Sequence, residues 1–445
     1  MVRGLLIITA LILVACNPRN PYTRSYLSDR VKAQTQFNII EKKQAGRFDL
    51  PPDVNLGDGI NEDEAVSVAL WNNAQFQAEL IGISFAAADV KEAGIIQNPL
   101  LQYLSPNAGI VAQGYMYFYL DALWQRPHRV AAAKRDAHKV TENLVQRSFT
   151  LIRDVQVAYA DLVLAKTKVD IFTQNAQIRT QMSQLANSRL RNGDISELEA
   201  TTARIDSVNA TDNLLRAVLD TVILRKRFNV LLGIESQDTI ISLHQSLTPN
   251  FTEIDEASFL KLAYANQPEL KAATAAIEAA GQRIGWEHSR ILVFTGVLNG
   301  QNFAGTPSAE NKFPETYNLG LRTEVPIFNW NQGRISRAKA ELEQASLNYV
   351  ALRQRIALDV GETYVRYDLA FKSYQLWNSN VLPNLERAVH LSQDSYGTGD
   401  ISYLPVLEAT RQMLDAKLRK AEVEAELRRS VSQLNFRLGK KVLNQ

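Results

Sequence analysis

The heptapeptide Asn-Gly-Asp-Ile-Ser-Glu-Leu at positions 192–198 returns as Thr-Gly-Asp-Ile-Ser-Tyr-Leu at positions 398–404. Further along the chain, Asn-Val-Leu-Leu-Gly at 229–233 returns at the same separation as Asn-Phe-Arg-Leu-Gly at 435–439. Self-similarity at one fixed separation indicates an internal duplication, because each copy then encodes the same unit of structure. These matches therefore predict two repeats with the same order of elements.

The upstream part of each repeat is also matched, with one difference in spacing. Asp154 and Tyr159 return as Asp359 and Tyr364, at a separation that is one residue shorter than that of the heptapeptides. Each repeat is predicted to contain a helix of about 35 residues, a strand-like segment, a very long helix, a Gly-Asp turn and a final helix. Pro383 is expected to kink the long helix of the second repeat, since proline lacks a backbone N–H.

The duplication divides the 445 residues into five segments. The boundaries are 1–15 for a signal peptide, 16–60 for an N-terminal acylated extended segment, 61–236 for the first repeat, 237–254 for a linker and 255–440 for the second repeat. The first helices are expected at 62–96 and 256–289, the long helices at about 130–190 and 333–396, and β-hairpins at about 100–124 and 291–328.

Apolar residues in the long helices recur every seven positions. The stripe consists of Val155, Leu162, Val169 and Ala176 in the first repeat, and of Val360, Tyr367, Tyr374 and Val381 in the second. A seven-residue period keeps one stripe against a partner helix and predicts left-handed coiled coils. An ordinary helical bundle or a spectrin-like rod gives the same periodicity.

Strand-like segments distinguish the chain from a purely helical rod. Apolar and polar residues alternate from Tyr317 to Val325, over about the length that a tilted strand needs to cross a bilayer. The equivalent segment before Trp124 alternates only weakly, and its hairpin is predicted from the repeat. Four strands are too few to close around a channel, so strands in a membrane would have to be pooled from several chains.

The N-terminus has the pattern of a bacterial lipoprotein. Arg3 precedes an apolar run that is too short to span a bilayer, and the run ends in Leu-Val-Ala-Cys at 13–16. Cys16 is therefore predicted to be the lipidation site, with an incidental or buried thiol as the alternative. Since Cys16 is the sole cysteine, an intramolecular disulfide is excluded. Asn17 follows it, which favours sorting to the outer membrane.

Composition excludes several other classes of function. The formal net charge is +2 with interspersed acids and bases, which does not resemble a nucleic-acid-binding surface. The five histidines are scattered without metal-ligand spacing, and no nucleophile–base constellation is visible, so we expect no enzyme, no bound metal and no cofactor other than the covalent lipid. A periplasmic coiled-coil structural lipoprotein or adaptor without a barrel stays open as an alternative.

Taken together, the lipoprotein motif, the duplication and the heptad helices resemble the TolC-like outer-membrane efflux protein family. The Asn-Gln-Gly junction at 331–333 is similar to that of CzcC-type heavy-metal efflux components. The resemblance implies a mainly α fold with a small membrane β-barrel contribution, in which a homotrimer builds a twelve-stranded barrel that continues into an α-helical coiled-coil tunnel. It also implies an exit duct of a tripartite pump that exports small molecules or metal cations, although the same duct could serve type I protein secretion.

The resemblance further implies which residues carry this function. A periplasmic adaptor, itself joined to an inner-membrane pump, would contact the helix tips. The tip residues are Leu190, Gly193, Ser196 and Leu198 in the first repeat, and Tyr396, Gly399, Ser402 and Leu404 in the second. For the residues that flank the turns, packing within their own helix pair is the alternative. Glu199 and Glu408 are candidates for an acidic constriction, and Pro405 replaces the repeat-equivalent acid of Glu199. Ordinary surface glutamates are the alternative there.

Overall fold

The computed structural model describes residues 18–39, 48–52, 54, 57, 59–105, 112–235, 243, 256–301, 316–398 and 400–442. The chain forms two compact units, each built from separate stretches of both repeats. The sheet unit comprises Met1–Leu27, Leu80–Leu144 and Pro268–Arg353, and the helical unit comprises Ser28–Glu79, Val145–Gln267 and Gln354–Gln445. Cys16 and Gly399 lie outside the described residues, as does nearly all of the 237–254 linker.

The strands of the sheet unit form two antiparallel hairpins, one from each repeat. They are β1 (Leu100–Leu104), β2 (Gln113–Tyr119), β3 (Val293–Gln301) and β4 (Thr316–Glu324). β2 and β3 pair antiparallel, with Tyr117 opposite Val297, so that the sheet order is β1-β2-β3-β4. The predicted hairpins are thereby confirmed, whereas Trp124 belongs to the following helix rather than to a strand. A fold made only of helices is excluded.

The helices of the first repeat precede and follow its hairpin. Before the hairpin lie α1 (Arg24–Thr35), α2 (Glu62–Asn72), α3 (Ala74–Leu80) and α4 (Gly82–Gly94). After it lie α5 (Ala122–Asn192) and α6 (Glu197–Leu231). In the second repeat, α7 (Glu256–Asn266) and α8 (Pro268–Ser289) come before the hairpin. Then follow α9 (Gln332–Leu376), a π-turn (Trp377–Val381), α10 (Leu382–Thr398) and α11 (Tyr403–Leu438). None of the helices in the described part of the chain is long and apolar enough to span a membrane.

Two sequence-based expectations about helices are wrong. Residues 24–35 are helical rather than extended, because Thr23 caps the helix through a 3.3 Å bond from the Tyr26 amide and Leu27 and Val31 are buried one turn apart. The first helix of each repeat is also interrupted. Asn73 adopts an extended backbone and caps α3, accepting a 2.9 Å hydrogen bond from the Phe76 amide. In the second repeat the break immediately precedes Pro268, which disfavours helical geometry in the residue before it.

The repeated Asn-x-x-x-Gly motif is explained by the ends of α6 and α11. Gly233 and Gly439 both have positive φ, +74° and +63°. A Cβ on Gly233 would lie 2.5 Å from the carbonyl oxygen of Asn72, and a Cβ on Gly439 would lie 2.9 Å from that of Asn266. Each glycine therefore lets the end of a repeat's last helix pack against the break in the same repeat's first helix.

The Asn-Gln-Gly junction between β4 and α9 is a structural turn. Asn331 has φ +57°, a conformation that asparagine tolerates better than most residues. Its side-chain amide donates to the Glu287 carbonyl oxygen at 2.7 Å and to the Glu287 carboxylate at 2.8 Å. The Gln332 side chain accepts a 2.8 Å bond from the Trp330 amide. The described contacts of this motif therefore assign it a structural role, which is to stabilise the turn between β4 and α9, and they give no indication of the cargo.

The heptad stripes pack the long helices of the helical unit. Val155 and Leu162 of α5 and Val360 and Tyr367 of α9 are at most 3% exposed, which confirms the first part of each predicted stripe. Ala176 is also buried, whereas Val169, Tyr374 and Val381 are only half-buried, and Leu382 is buried in place of Val381. Three contacts bring α11 alongside its neighbours: Arg429–Asp161 (2.7 Å) and Lys168–Glu422 (2.9 Å) to α5, and Arg437–Asp359 (2.8 Å) to α9. α6 packs on the other side of α5, where Tyr159 and Phe228 meet ring to ring.

Candidate functional site at the two helix turns

The first turn reverses the chain between α5 and α6. Gly193 has φ +81° and has open space around its Cβ position, so the glycine is required by the backbone alone. Its amide donates to the Leu190 carbonyl at 3.0 Å, and the Asp194 amide donates to the Arg189 carbonyl at 2.9 Å. These two bonds form a Schellman motif, which satisfies the last carbonyls of α5. Ser196 then caps α6 by accepting a 3.2 Å bond from the Glu199 amide.

The second turn, between α10 and α11, shares one backbone hydrogen bond with the first turn and has different side-chain bonds. The Asp400 amide donates to the Ser395 carbonyl at 3.0 Å, over the same sequence separation as in the first turn. The Thr398 hydroxyl donates to the Asp400 carboxylate at 2.6 Å. Ser402 occupies the N-cap position of α11, but its side chain makes no capping bond. The described residues of the two turns therefore share one backbone hydrogen bond and differ in their side-chain bonds.

A small apolar cluster joins the two turns. Ala186, Ala203, Tyr396 and Val406, one from each of the four helices, are all at most 2% exposed and pack together. Met182, Ile195, Ile401 and Leu407 complete the cluster. The Arg189 guanidinium lies over the Tyr396 ring, 4.9 Å from its centre, as in a cation–π contact. The repeats are thus linked at their turns as well as through the sheet.

The residues predicted for partner contact fall into two groups. Leu198 and Leu404 are 77% and 70% exposed, at equivalent positions of the two turns. Tyr396 is buried in the shared cluster, which favours the packing alternative for this residue, and Leu190 is half-buried. Exposed leucines at both turns present the apolar surface that a docking helix would cover.

The two candidate acids have different surroundings. Glu199 is half-buried in the first turn of α6. Glu408 is exposed and accepts hydrogen bonds from Arg411 (2.8 and 3.1 Å) and Gln412 (2.9 Å). These bonds, that from Arg411 first, lower the pKa of Glu408 to about 2, so its carboxylate stays ionised at any physiological pH. A ring built from Glu408 would therefore consist of glutamate–arginine pairs rather than bare acids.

Sequence reasoning missed both basic partners. Arg411 stands three residues after Glu408, a spacing at which helical side chains meet, and this could have been noticed. Arg189 contacts a ring more than 200 residues away, which no local pattern indicates. Among the described residues, no three His, Cys, Asp or Glu side chains are grouped closely enough to hold a metal ion.

Residues 259–440 match the family described as Outer membrane efflux protein. The sequence is 23% identical to the cobalt-zinc-cadmium resistance protein CzcC of Cupriavidus metallidurans over 392 residues, 85% of this chain and 90% of that protein.

Solved structures show the same fold. A membrane protein from Pseudomonas aeruginosa superposes with a TM-score of 0.72 at 17% identity, covering 90% of this chain and 99% of that one. The channel protein CusC superposes with a TM-score of 0.70 at 17% identity and the same coverage. The predicted resemblance to TolC-like outer-membrane efflux proteins is confirmed, since residues 259–440 match that family, CzcC is similar over most of the chain and CusC has the same fold.

Proposed function

We propose that three copies of this chain, anchored by lipid on Cys16, form the exit duct of a tripartite pump whose periplasmic adaptor docks at the two helix turns. The observation that carries the proposal is the distribution of exposed apolar side chains. In a single copy, the helices that flank α5 and α11 leave large apolar surfaces uncovered, and the sheet ends in two unpaired edge strands.

One uncovered surface lies on α6 and the other on α9 and α10. The α6 stripe consists of Ile205, Val208, Leu215, Val218, Leu219, Ile223 and Val230, which are 42–70% exposed. In the helical unit, the opposite stripe consists of Leu358, Val365, Leu369, Leu376 and Leu391, which are 53–65% exposed. Both stripes repeat at coiled-coil spacings, so the α6 stripe of one copy fits the α9–α10 stripe of the next. Such head-to-tail contacts form a ring when the rotation between neighbouring copies closes, as it does in the proposed trimer.

The sheet also has two sides that a single copy leaves uncovered, namely its two edge strands. β1 and β4 are its edge strands, and β4 exposes Tyr317, Leu319 and Leu321 at 67%, 85% and 63%. Exposed apolar edge strands are unfavourable unless another strand covers them. Pairing β4 of one copy with β1 of the next would cover both edges of the sheet.

The cargo is proposed to be small, with metal cations favoured over larger compounds. The support is the likeness to CzcC, a protein named for cobalt, zinc and cadmium resistance. The duct itself performs no chemistry in this proposal, and the adaptor-linked inner-membrane pump supplies the energy. Leu198 and Leu404 at the turns are the apolar contacts for the adaptor.

Native mass spectrometry of the detergent-extracted protein tests the assembly and the lipid together. Wild type should give trimers, each chain beginning at Cys16 with added acyl mass, whereas Cys16→Ala should lack that mass. Leu369→Asp on the α9 stripe should release monomers, because the carboxylate would be buried against the neighbouring copy. Leu404→Asp is a matched control of similar exposure at a turn, which should keep trimers but lose crosslinks to the adaptor. Trimers that survive Leu369→Asp, or a wild-type monomer, would contradict the proposed assembly.

A further inference from the structure

A polar cavity lies where α5, α9 and α11 meet in the helical unit. Its volume is about 250 Å³, which is enough for several water molecules or for one small anion. The lining includes Arg153 of α5, Glu362 and Arg366 of α9, and Gln433 and Arg437 of α11. Both repeats therefore contribute to this arginine pocket.

Two of the three arginines are held in place by their neighbours. The Arg437 guanidinium lies 2.8 Å from the Asp359 carboxylate. The Arg153 guanidinium lies 2.6 Å from the Asp154 carboxylate. Both groups also stand against the Phe436 ring, whose centre is 4.4 Å from Arg153 and 5.3 Å from Arg437. Since Phe436 is buried, the ring fixes both guanidinium groups at the wall of the pocket.

The third arginine adds a charge that the surrounding residues leave unpaired. Among the described residues, Arg366 makes no hydrogen bond or ion pair, and the same is true of the side-chain amide of Gln433. Glu362 stands four residues before Arg366, a spacing at which the two side chains compete with a ligand by pairing with each other. The pocket thus holds hydrogen-bond donors without acceptors.

The charges around the pocket do not cancel. In the lining, three arginines stand against Asp359 and Glu362. Just outside the lining, Asp154 pairs with Arg153, and Arg355 lies 3.8 Å from Asp359, so these two further charges offset each other. The pocket therefore has one net positive charge. Its guanidinium groups are the donors that best match the oxygens of phosphate and carboxylate groups.

The pocket lies on the side of α5 and α11 that faces away from α2. On the α2 side, the Tyr159 hydroxyl of α5 donates to the Ile60 carbonyl at 3.2 Å, and Arg428 of α11 is buried close to Glu62. Arg437 follows Arg428 by nine residues, which places it about 180° around the helix. In a ring of copies α2 stands outside, because it would otherwise obstruct the duct. The arginine pocket then faces the lumen.

We infer that the arginine pocket binds a small dianion, either phosphate or an organic dicarboxylate, in the wall of the duct. The place in the lumen rests on the proposed function, whereas the binding site itself does not. Arg366, Arg437 and Gln433 donate hydrogen bonds to the bound anion. An empty pocket in each copy gives this level of the duct a positive charge that repels metal cations. A dianion in each pocket reverses that charge and lets cations pass.

Titration of the detergent-extracted protein tests the binding site directly. Isothermal titration with sodium phosphate or sodium succinate at pH 8, in a chloride background, should show saturable binding to wild type. The anion that binds more tightly identifies the source of the dianion. Arg366→Gln should weaken binding at least about tenfold, since it removes charge-assisted hydrogen bonds. Glu362→Gln should tighten binding several-fold, because it removes a competing carboxylate. Arg387→Gln, at an exposed arginine of α10, is the matched control and should bind as wild type does.

Reversal potentials in planar bilayers test the place of the site in the duct. In a potassium chloride gradient, phosphate on both sides should make wild-type channels more cation-selective. Arg366→Gln should be more cation-selective than wild type before phosphate is added, because it lacks one positive charge, and it should not respond to phosphate. Arg387→Gln should respond as wild type does.

Two results would overturn the binding site: no saturable binding to wild type, or equal weakening by Arg366→Gln and Arg387→Gln. Binding that depends on Arg366 but leaves the reversal potential unchanged would overturn the placement of the site in the lumen. A wild-type protein that never conducts would instead refute the proposed duct, while the titration would still decide whether the pocket binds an anion.

Discussion

At the scale of single residues, a buried carboxyl group makes the fold sensitive to pH. Glu62, at the start of α2, is only 9% exposed. Burial, together with the negative charge of Asp63, raises the pKa of Glu62 to about 8 against the opposing effect of Arg428, Lys441 and Gln156. The folded protein therefore keeps a proton on Glu62 that the unfolded chain releases at lower pH.

The sign of the pH dependence follows from this difference. Between about pH 4.5 and 8 the folded state binds about one more proton per chain, so stability should fall as pH rises through this window. Glu62→Gln should flatten that fall in unfolding experiments from pH 5 to 8, and Glu197→Gln, at an exposed glutamate in the first turn, should not. A wild-type slope retained in Glu62→Gln would show that other groups control it.

At the scale of elements, two glycines with similar backbones should differ in their tolerance of a side chain. Gly233→Ala adds a Cβ within 2.5 Å of the Asn72 carbonyl oxygen, whereas Gly193→Ala meets nothing within 4 Å. Both pay about 1–2 kcal/mol for the left-handed conformation. The Gly233 variant should therefore lose clearly more free energy of unfolding, because α2 and α6 must also separate. Equal losses in denaturant titrations would mean that the backbone relaxes around the contact.

Some helices and strands were predictable from local sequence, and others were not. The heptad stripes of α5 and α9 and the alternation of β4 were readable because periodicity reports directly which face is buried. The break at Asn73 and the helix at 24–35 were missed, since each depends on caps and on burial supplied by distant segments. The pairing of Arg411 with Glu408 was missed but was predictable from local sequence, because both residues lie on one helix at a spacing of three.

At the scale of the whole molecule, the proposed trimer would multiply every charge at the turns by three. If Glu408 lines the duct, the three Glu408–Arg411 pairs form a ring with no net charge, and removing either partner leaves the ring charged. Arg411→Gln should make single channels more cation-selective, and Glu408→Gln should make them less so. Reversal potentials in asymmetric salt measure this directly. Identical potentials for both variants and wild type would place the pair outside the conducting path.

The sequence alone determined the heptad helices, the second hairpin and the turn glycines, because each of these is encoded within a short window of the chain. It also determined the duplication, because two such windows recur at one fixed separation. Only the tertiary structure decided that both hairpins form one sheet, that Tyr396 is buried between the turns, and that a π-turn interrupts the long helix of the second repeat. These features depend on contacts between residues far apart in the chain. The burial of apolar side chains stabilises them, and periodicity indicates which side chains are buried but not which distant residues they pack against.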